Sequence, residues 1–299
     1  MTPELPPWVD SWCRAQLGAV PAEPLFVVSH LSEVVGVRLA DGREVVVKRR
    51  PDEAGRTQIC VRAQRLLAEQ GFPCPLPLTG VVVADRFAVH AELFLEGGEI
   101  ETEDTPEAAA QSAVLLADLV CRLDGLDLQP PLPNPEWIRW ESLPERQTAS
   151  PAPDWVEETQ RRVQEKLLGC GLPGVLGHVD WEAQNMRWQR WLGREPIAVH
   201  DWDSLAWLPE AALVGTAAGV FSSHGNPRLA PLESSAAFLD AYQQARGARF
   251  SSHEEEIAWA ASLWVAIHNA RDELIFDRPR LSLDALEEQR AERLARARA

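Results

Sequence analysis

The sequence predicts an α+β chain whose first part is an antiparallel sheet with one helix and whose second part is mainly helical. Three observations carry this. Short runs rich in β-branched residues crowd the first ninety or so positions, and one pair is joined by Asp41-Gly42, a dipeptide suited to a tight hairpin. From Thr105 onward, apolar residues recur at helical spacing. Within the helical part, two short apolar runs end on acids: Leu176-Gly-His-Val-Asp180 and Ile197-Ala-Val-His-Asp201. The predicted division is residues 1–92, a connecting stretch at 93–98, and residues 99–299.

A chain of 299 residues suits two domains or one large two-lobed unit, and 45% hydrophobic content fills sizeable cores. The net charge of −16 and a pI of about 4.9 argue against nucleic-acid binding, which calls for a basic face. An acidic surface attracts a cationic small molecule, although the same charge serves solubility alone. No run of eighteen apolar residues is present, so no membrane span is expected. The opening Met-Thr-Pro-Glu-Leu-Pro-Pro-Trp lacks a basic region and an apolar core, so no signal peptide is expected. Cys13, Cys60, Cys74, Cys121 and Cys170 are scattered and odd in number, as in a cytoplasmic protein with reduced thiols. A monomer or homodimer is expected.

Taken in order, Pro7 to Leu17 reads as a short helix covering the first part. Strands follow at Leu25–Ser29, Val34–Leu39 and Arg43–Lys48. The helix from Thr57 to Gln70 carries Ile59, Val61, Ala63, Leu66 and Leu67 and stops at Gly71. Gly80–Asp85 and Arg86–Phe94 form another hairpin. Thr105 is a helix N-cap with Pro106 at the first helical position, and the helix to Asp124 is apolar nearly all round, hence buried. Residues 130–153 are rich in Pro and Trp and read as an irregular insertion. Helices are expected at Glu157–Gly169, Ala211–Phe221, Glu233–Arg246 and Glu254–Phe276. The last of these places Ile257, Ala260, Trp264, Ile267 and Leu274 on a core stripe. The tail from Glu287 to Arg298 reads as a solvated helix end.

The motifs carry the chemistry. Asp180 and Asn185 stand five residues apart in His178-Val179-Asp180-x-x-x-x-Asn185, and Asp201-Trp202-Asp203 closes the next apolar run. A loop Asp, an Asn five residues on and a later Asp form the set with which kinases accept a hydroxyl proton and hold Mg²⁺. Lys48 closes Glu44-Val-Val-Val-Lys48. It is one of only two lysines beside Lys166, in a chain with 29 Lys plus Arg, and a compact ammonium suits phosphate pairing.

At these residues the chain resembles the aminoglycoside phosphotransferase and choline kinase-like family, whose motifs read His-Gly-Asp-x-x-x-x-Asn and then Asp-x-Asp or Asp-x-Glu. Val179 stands at the usual Gly. The resemblance covers roughly residues 20 to 280 and implies a two-lobed protein kinase-like α+β fold. It implies Asp180 as base, Asn185 and Asp201 as Mg²⁺ ligands, and Lys48 as partner of the nucleotide phosphates. Ser32 aligns with the family's phosphate-loop serine, although the stretch also reads as an ordinary hairpin turn. The segment Glu92-Leu-Phe-Leu-Glu-Gly-Gly98 resembles the hinge, where the C=O of Leu93 and the N–H of Leu95 would hold the base of ATP or GTP. His178 is read as structural. Trp181, Glu182, Asp203, Asp272 and Glu273 are candidates for facing the substrate, and Glu210 for bracing the loop. The family's helix Glu, which pairs with the strand lysine, falls on Cys60; Glu53 or another acid would have to replace it.

The function this implies is Mg²⁺-dependent O-phosphorylation of a small-molecule hydroxyl, first an aminoglycoside-like or other amine-bearing alcohol. A neutral sugar, a nucleoside, choline or homoserine remains open, with Trp181, Trp202 and Trp207 as material for an aromatic cage. A nucleotide-binding pseudokinase regulator is the reading from another class, motivated by Cys60 and the glycine-poor loop at His30–Glu33.

Overall fold

The computed structural model describes residues 4–29, 32–52, 54–189 and 195–299. The chain divides into two units: residues through Gly98 together with Pro131–Pro133 and Ile197–Asp203, and the remainder from Glu99.

The first unit opens with α1 (Trp8–Leu17), which Gly18 terminates in the left-handed conformation that glycine adopts without strain. Strands β1 (Pro21–Ser29), β2 (Glu33–Leu39) and β3 (Glu44–Pro51) follow, then α2 (Arg56–Glu69), β4 (Val82–Ala84) and β5 (Phe87–Leu93). They make one five-stranded antiparallel sheet in the order β1-β2-β3-β5-β4. Asp41 and Gly42 form the β2–β3 turn as expected, Gly42 at φ 88°. The two-residue period of a strand gives this sheet two different faces. Val35, Val37, Val45, Val47, Val89 and Ala91 join Val9 and Cys13 of α1 in an apolar core. The intervening residues of β3 and β5 therefore point to the opposite face.

The second unit contains α3 (Pro106–Asp124), α4 (Glu145–Thr148), α5 (Asp154–Leu168), β6 (Gly174–His178), β7 (Met186–Gln189), β9 (Leu205–Pro209), α6 (Glu210–Val220), α7 (Leu232–Arg246), α8 (Ser252–Ile275) and α9 (Leu281–Ala297); β8 (Glu195–Val199) runs into the segment that belongs to the first unit. Thr105 caps α3 by accepting the Ala108 N–H, and Ser251 with Glu254 forms a reciprocal capping box on α8. Strands β6 and β9 pair antiparallel, His178 opposite Leu205. Helix α8 is the hub of this unit and packs on α5, α6 and α9, while α3 packs on α7. Among the described residues no helix is long and apolar enough to cross a membrane.

Two expectations change here. The C-terminal segment is not a solvated helix end. Leu283, Leu286, Leu294 and Ala297 are buried on α9, and Arg293 is fully buried. Its guanidinium donates to Ser262 Oγ at 2.9 Å, Ser235 Oγ at 2.9 Å and the Ala230 carbonyl at 2.7 Å. Burial, then Arg296, pushes its pKa down to about 9. The charge count of the tail concealed an apolar stripe wide enough to dock. Leu274, by contrast, lies off the core stripe of α8 and is 38% exposed.

Close approach of α6 and α8 depends on Gly215, where an added Cβ would overlap the backbone carbonyl of Ala258. Gly215→Ala should therefore force the helices apart and lower stability by about 1–3 kcal/mol, read as a lower melting temperature against the wild-type chain.

Candidate functional site

The candidate residues fall into two sets, one in each unit. In the second unit, β6 carries the chain to His178, and the turn that follows holds Asp180 and Asn185. Asn185 Nδ2 donates to the Asp180 carboxylate at 2.8 Å and to its backbone carbonyl at 2.9 Å, and the Glu182 N–H donates to the same carbonyl at 2.9 Å. The five-residue spacing is thus closed into a small loop by its own two ends. The Val179 N–H, donating to the Ser204 carbonyl at 3.0 Å, extends the β6–β9 pairing to the loop's first residue.

His178 and Trp181 anchor the loop from behind. Both are buried, with their rings edge to face at 5.7 Å. Trp181 Nε1 donates to Ser112 Oγ at 2.9 Å on α3. Trp181 is 1% exposed, so it spends its ring on the interior and does not face a substrate. Glu182 is nearly buried and accepts from Gln184 Nε2 at 2.7 Å.

In the first unit, Lys48, Arg50 and Ser32 line one small cavity with Gln64, His90 and Asp201. Lys48 stands opposite His90 in the β3–β5 register, and Val46 stands opposite Glu92. Glu92 is therefore the diagonal neighbour of Lys48 on the same face, a separation that long side chains bridge. They form an ion pair at 2.7 Å, with Glu92 1% exposed. Gln64 Nε2 donates to the other Glu92 oxygen at 2.9 Å and to the Pro75 carbonyl at 2.7 Å. The counter-ion of Lys48 is thus a strand acid. The position one turn before Gln64 on α2 is the buried Cys60, whose thiol burial pushes up to about 11. Glu53 lies outside the described residues, as do His30 and Leu31 beside Ser32.

His90 completes this face. Burial, then the charges of Lys48 and Arg50, hold its pKa down to about 3, so the imidazole is neutral at physiological pH. Arg50 forms an ion pair with Asp203, and Arg56 Nη2 donates to the Asp203 carbonyl at 2.7 Å. Asp201 adopts φ 61°, a left-handed conformation uncommon for a residue with a side chain. The segment around it is fixed within the first unit by the Val199 N–H donating to the Pro73 carbonyl at 2.7 Å and by Trp202, stacked edge-on against Phe72 at 5.9 Å. Trp202 is buried, whereas Trp207 is 39% exposed; two of the three tryptophans offered for an aromatic cage thus serve packing.

The remaining candidates have other partners. Glu273 is 3% exposed and accepts the backbone N–H groups of Ser282 and Leu283 at 2.6 and 2.9 Å, capping the start of α9. It is a helix cap and not a pocket acid. Asp272 accepts from Gln147 Nε2 at 2.7 Å and pairs with Arg146 at 3.3 Å. Glu210 braces α7 through Tyr242 Oη at 2.7 Å and Arg246 Nε at 2.8 Å, not the loop. Burial alone would raise its carboxyl, but the hydrogen bonds from Arg246 and Tyr242 hold it below the usual range. Leu93 follows Glu92 at the end of β5 and donates its N–H to the Leu76 carbonyl at 2.9 Å; Leu95 lies in the irregular stretch after it.

The donor chemistry suits Mg²⁺. Asn185 and Asp201 each carry hard oxygen atoms of the kind that ion takes, and the Nδ2 of Asn185 is spent on Asp180. Among the described residues no group of three His, Cys, Asp or Glu makes a metal cage.

No protein-family model matches the chain, and no curated protein matches it in sequence. Solved structures do. Amicoumacin kinase in complex with AMP-PNP, Ca²⁺ and its ligand superposes with a TM-score of 0.63 at 11% identity, over 92% of this chain and 88% of that one. The fold is that of the small-molecule kinases. An aminoglycoside phosphotransferase from Alicyclobacillus acidocaldarius gives 0.58 at 14% identity, over 100% of this chain and 94% of that one. The microcompartment-associated aminopropanol kinase gives 0.60 at 15%, over 93% and 89%. The protein kinase-like fold with an antiparallel five-stranded sheet and a mainly helical second part is therefore established for this chain.

His90 and His268 generate an acid sensitivity. His268 is pushed down to about 4 by burial, against the opposing pull of Asp272. Both take up protons at about pH 6.5 when the chain unfolds but not in the folded state. Stability therefore falls as pH drops below about 6.5, by about 1.4 kcal/mol per pH unit for each histidine. Urea midpoints measured from pH 7 to pH 4.5 should show this loss, and His90→Gln should remove about half of it, leaving the share of His268.

Proposed function

We propose that this protein is a nucleotide-dependent phosphotransferase that moves a phosphoryl group to a hydroxyl of a small molecule. The Asp180–Asn185 loop at the end of β6, in a chain with the small-molecule kinase fold, carries the proposal. ATP or GTP is the donor. Asn185 and Asp201 are the residues that would hold Mg²⁺, which would supply neutralisation of the charge on the phosphate oxygens.

The chain's own residues do the rest. Asp180 accepts the proton of the acceptor hydroxyl, and Asn185, bonded to both its carboxylate and its backbone, fixes the direction of that carboxylate. Buried His178 and Trp181 keep the loop from shifting. Lys48 supplies a fixed positive charge to the nucleotide phosphates, and Ser32 adds a hydroxyl beside it. Leu93 and Leu95 hold the base through main-chain groups.

For the acceptor, an amine-bearing alcohol is the first choice, supported by the net charge of −16 and by neighbours named for amicoumacin, aminoglycosides and aminopropanol. Asp203, Asp272, Glu273 and Glu182 are each engaged by partners of this chain, so the overall acidic charge carries that recognition.

Asp180→Asn should lower kcat by about 10²- to 10⁴-fold while the affinity for Mg²⁺-nucleotide stays within a few-fold, measured by coupled ADP release and by titration with a non-hydrolysable analogue. Unchanged turnover rejects the assignment of the base. A panel of amino alcohols, aminoglycosides, neutral sugars, choline and homoserine, assayed for nucleotide consumption at low and high salt, separates the acceptor classes. A polycationic acceptor should show a KM that rises with salt. Turnover of neutral sugars alone, without salt dependence, rejects the amine-bearing class.

A further inference from the structure

A kinase-type lysine must be aimed, because a flexible four-carbon stem carries a point charge with no geometry of its own. In this chain no acid of α2 is available to aim it. The helix reads Arg56-Thr-Gln-Ile-Cys-Val-Arg-Ala-Gln-Arg-Leu-Leu-Ala-Glu69, and its one acid is the last residue. The inward positions carry Thr57, Cys60, Val61 and Gln64. Asp52, just before it, is spent on the Thr57 N–H.

We propose that Glu92 of β5 is the positioning residue of Lys48, and that Gln64 couples this pair to α2 in place of a helix carboxylate. The inference rests on the reading of Lys48 as the partner of the nucleotide phosphates. Three features support it. The β3–β5 register sets Glu92 diagonally across from Lys48 on one face, so the strands themselves hold the acid in place. Glu92 is almost without solvent contact, and a carboxylate at that depth persists only when paired and hydrogen-bonded, as the Lys48 and Gln64 contacts provide. Gln64 lies one turn beyond Cys60 and reaches the same carboxylate from α2, so a shift of the helix is transmitted to the lysine through Glu92. His90, the neighbour of both, stays neutral and does not compete for Glu92 as a cation.

A double-mutant cycle on the full chain tests this, reading the affinity for AMP-PNP with Mg²⁺ by tryptophan fluorescence and checking each variant's melting curve. Lys48→Ala and Glu92→Gln should each weaken nucleotide binding about tenfold, with the acceptor KM unchanged. Combined, they should weaken it no further than Lys48→Ala alone, because Glu92 acts only through the lysine. Glu92→Asp should recover part of the loss and serves in the cycle if Glu92→Gln does not fold. Additive losses, or a Glu92→Gln protein that binds as tightly as wild type while Lys48→Ala does not, overturn the positioning role and leave the function standing. Undiminished binding by Lys48→Ala overturns both.

Discussion

A strand that carries Lys48 and Arg50 on one face and valines on the other can be buried only if the charged face is neutralised in place. The first unit is arranged around that constraint. The apolar face of the sheet closes against α1, and the polar face meets α2 across Glu92, His90 and Gln64. Removing one member of a buried ion pair costs about 3–5 kcal/mol, far more than a surface pair contributes. The Lys48–Glu92 contact is thus part of the unit's stability. Arg50 and Asp203 repeat the solution at the other end of the same face, and there the acid comes from the segment that returns to the first unit from residue 197.

The second unit solves a similar problem with a different device. Its core is helix on helix, made tight by Gly215 against the Ala258 carbonyl and by small residues along α6. Into this packing α9 inserts the guanidinium of Arg293, paired with hydroxyls and a carbonyl. The acids that a charge count would assign to a pocket are largely used in the same way. Glu273 caps α9, Glu210 ties α6 to α7, and Asp272 answers Arg146.

The comparison with solved structures fits this division of labour. At 11–15% identity the fold persists over nearly the whole chain. What such distant chains share is the layout of strand, turn and helix, and individual polar contacts are free to be rebuilt. A carboxylate supplied from β5 in place of α2 leaves the sheet and the helix where they are, because the same face of the sheet is used.

What the sequence by itself determined was local. Strand alternation, the Asp41-Gly42 turn, the Thr105 cap and the apolar periodicity of α3 and α8 placed most elements within a few residues, because each signal is written in neighbours along the chain. The Asp180-x-x-x-x-Asn185 spacing was legible for the same reason, since a single turn is short enough to bring its two ends into a hydrogen bond. Tertiary structure alone decided the partners. That Glu92 and not the Cys60 position of α2 answers Lys48 depends on the β3–β5 register, which joins residues 44 positions apart. The signal was present in two strands of period two, but only their relative alignment puts Lys48 and Glu92 on one face. The burial of Trp181 against Ser112 and of Arg293 against Ser262 likewise depends on which helix face meets which neighbour. Side chains of the same type serve pocket, core or cap according to what packs against them, and packing is not a property of any one stretch of sequence.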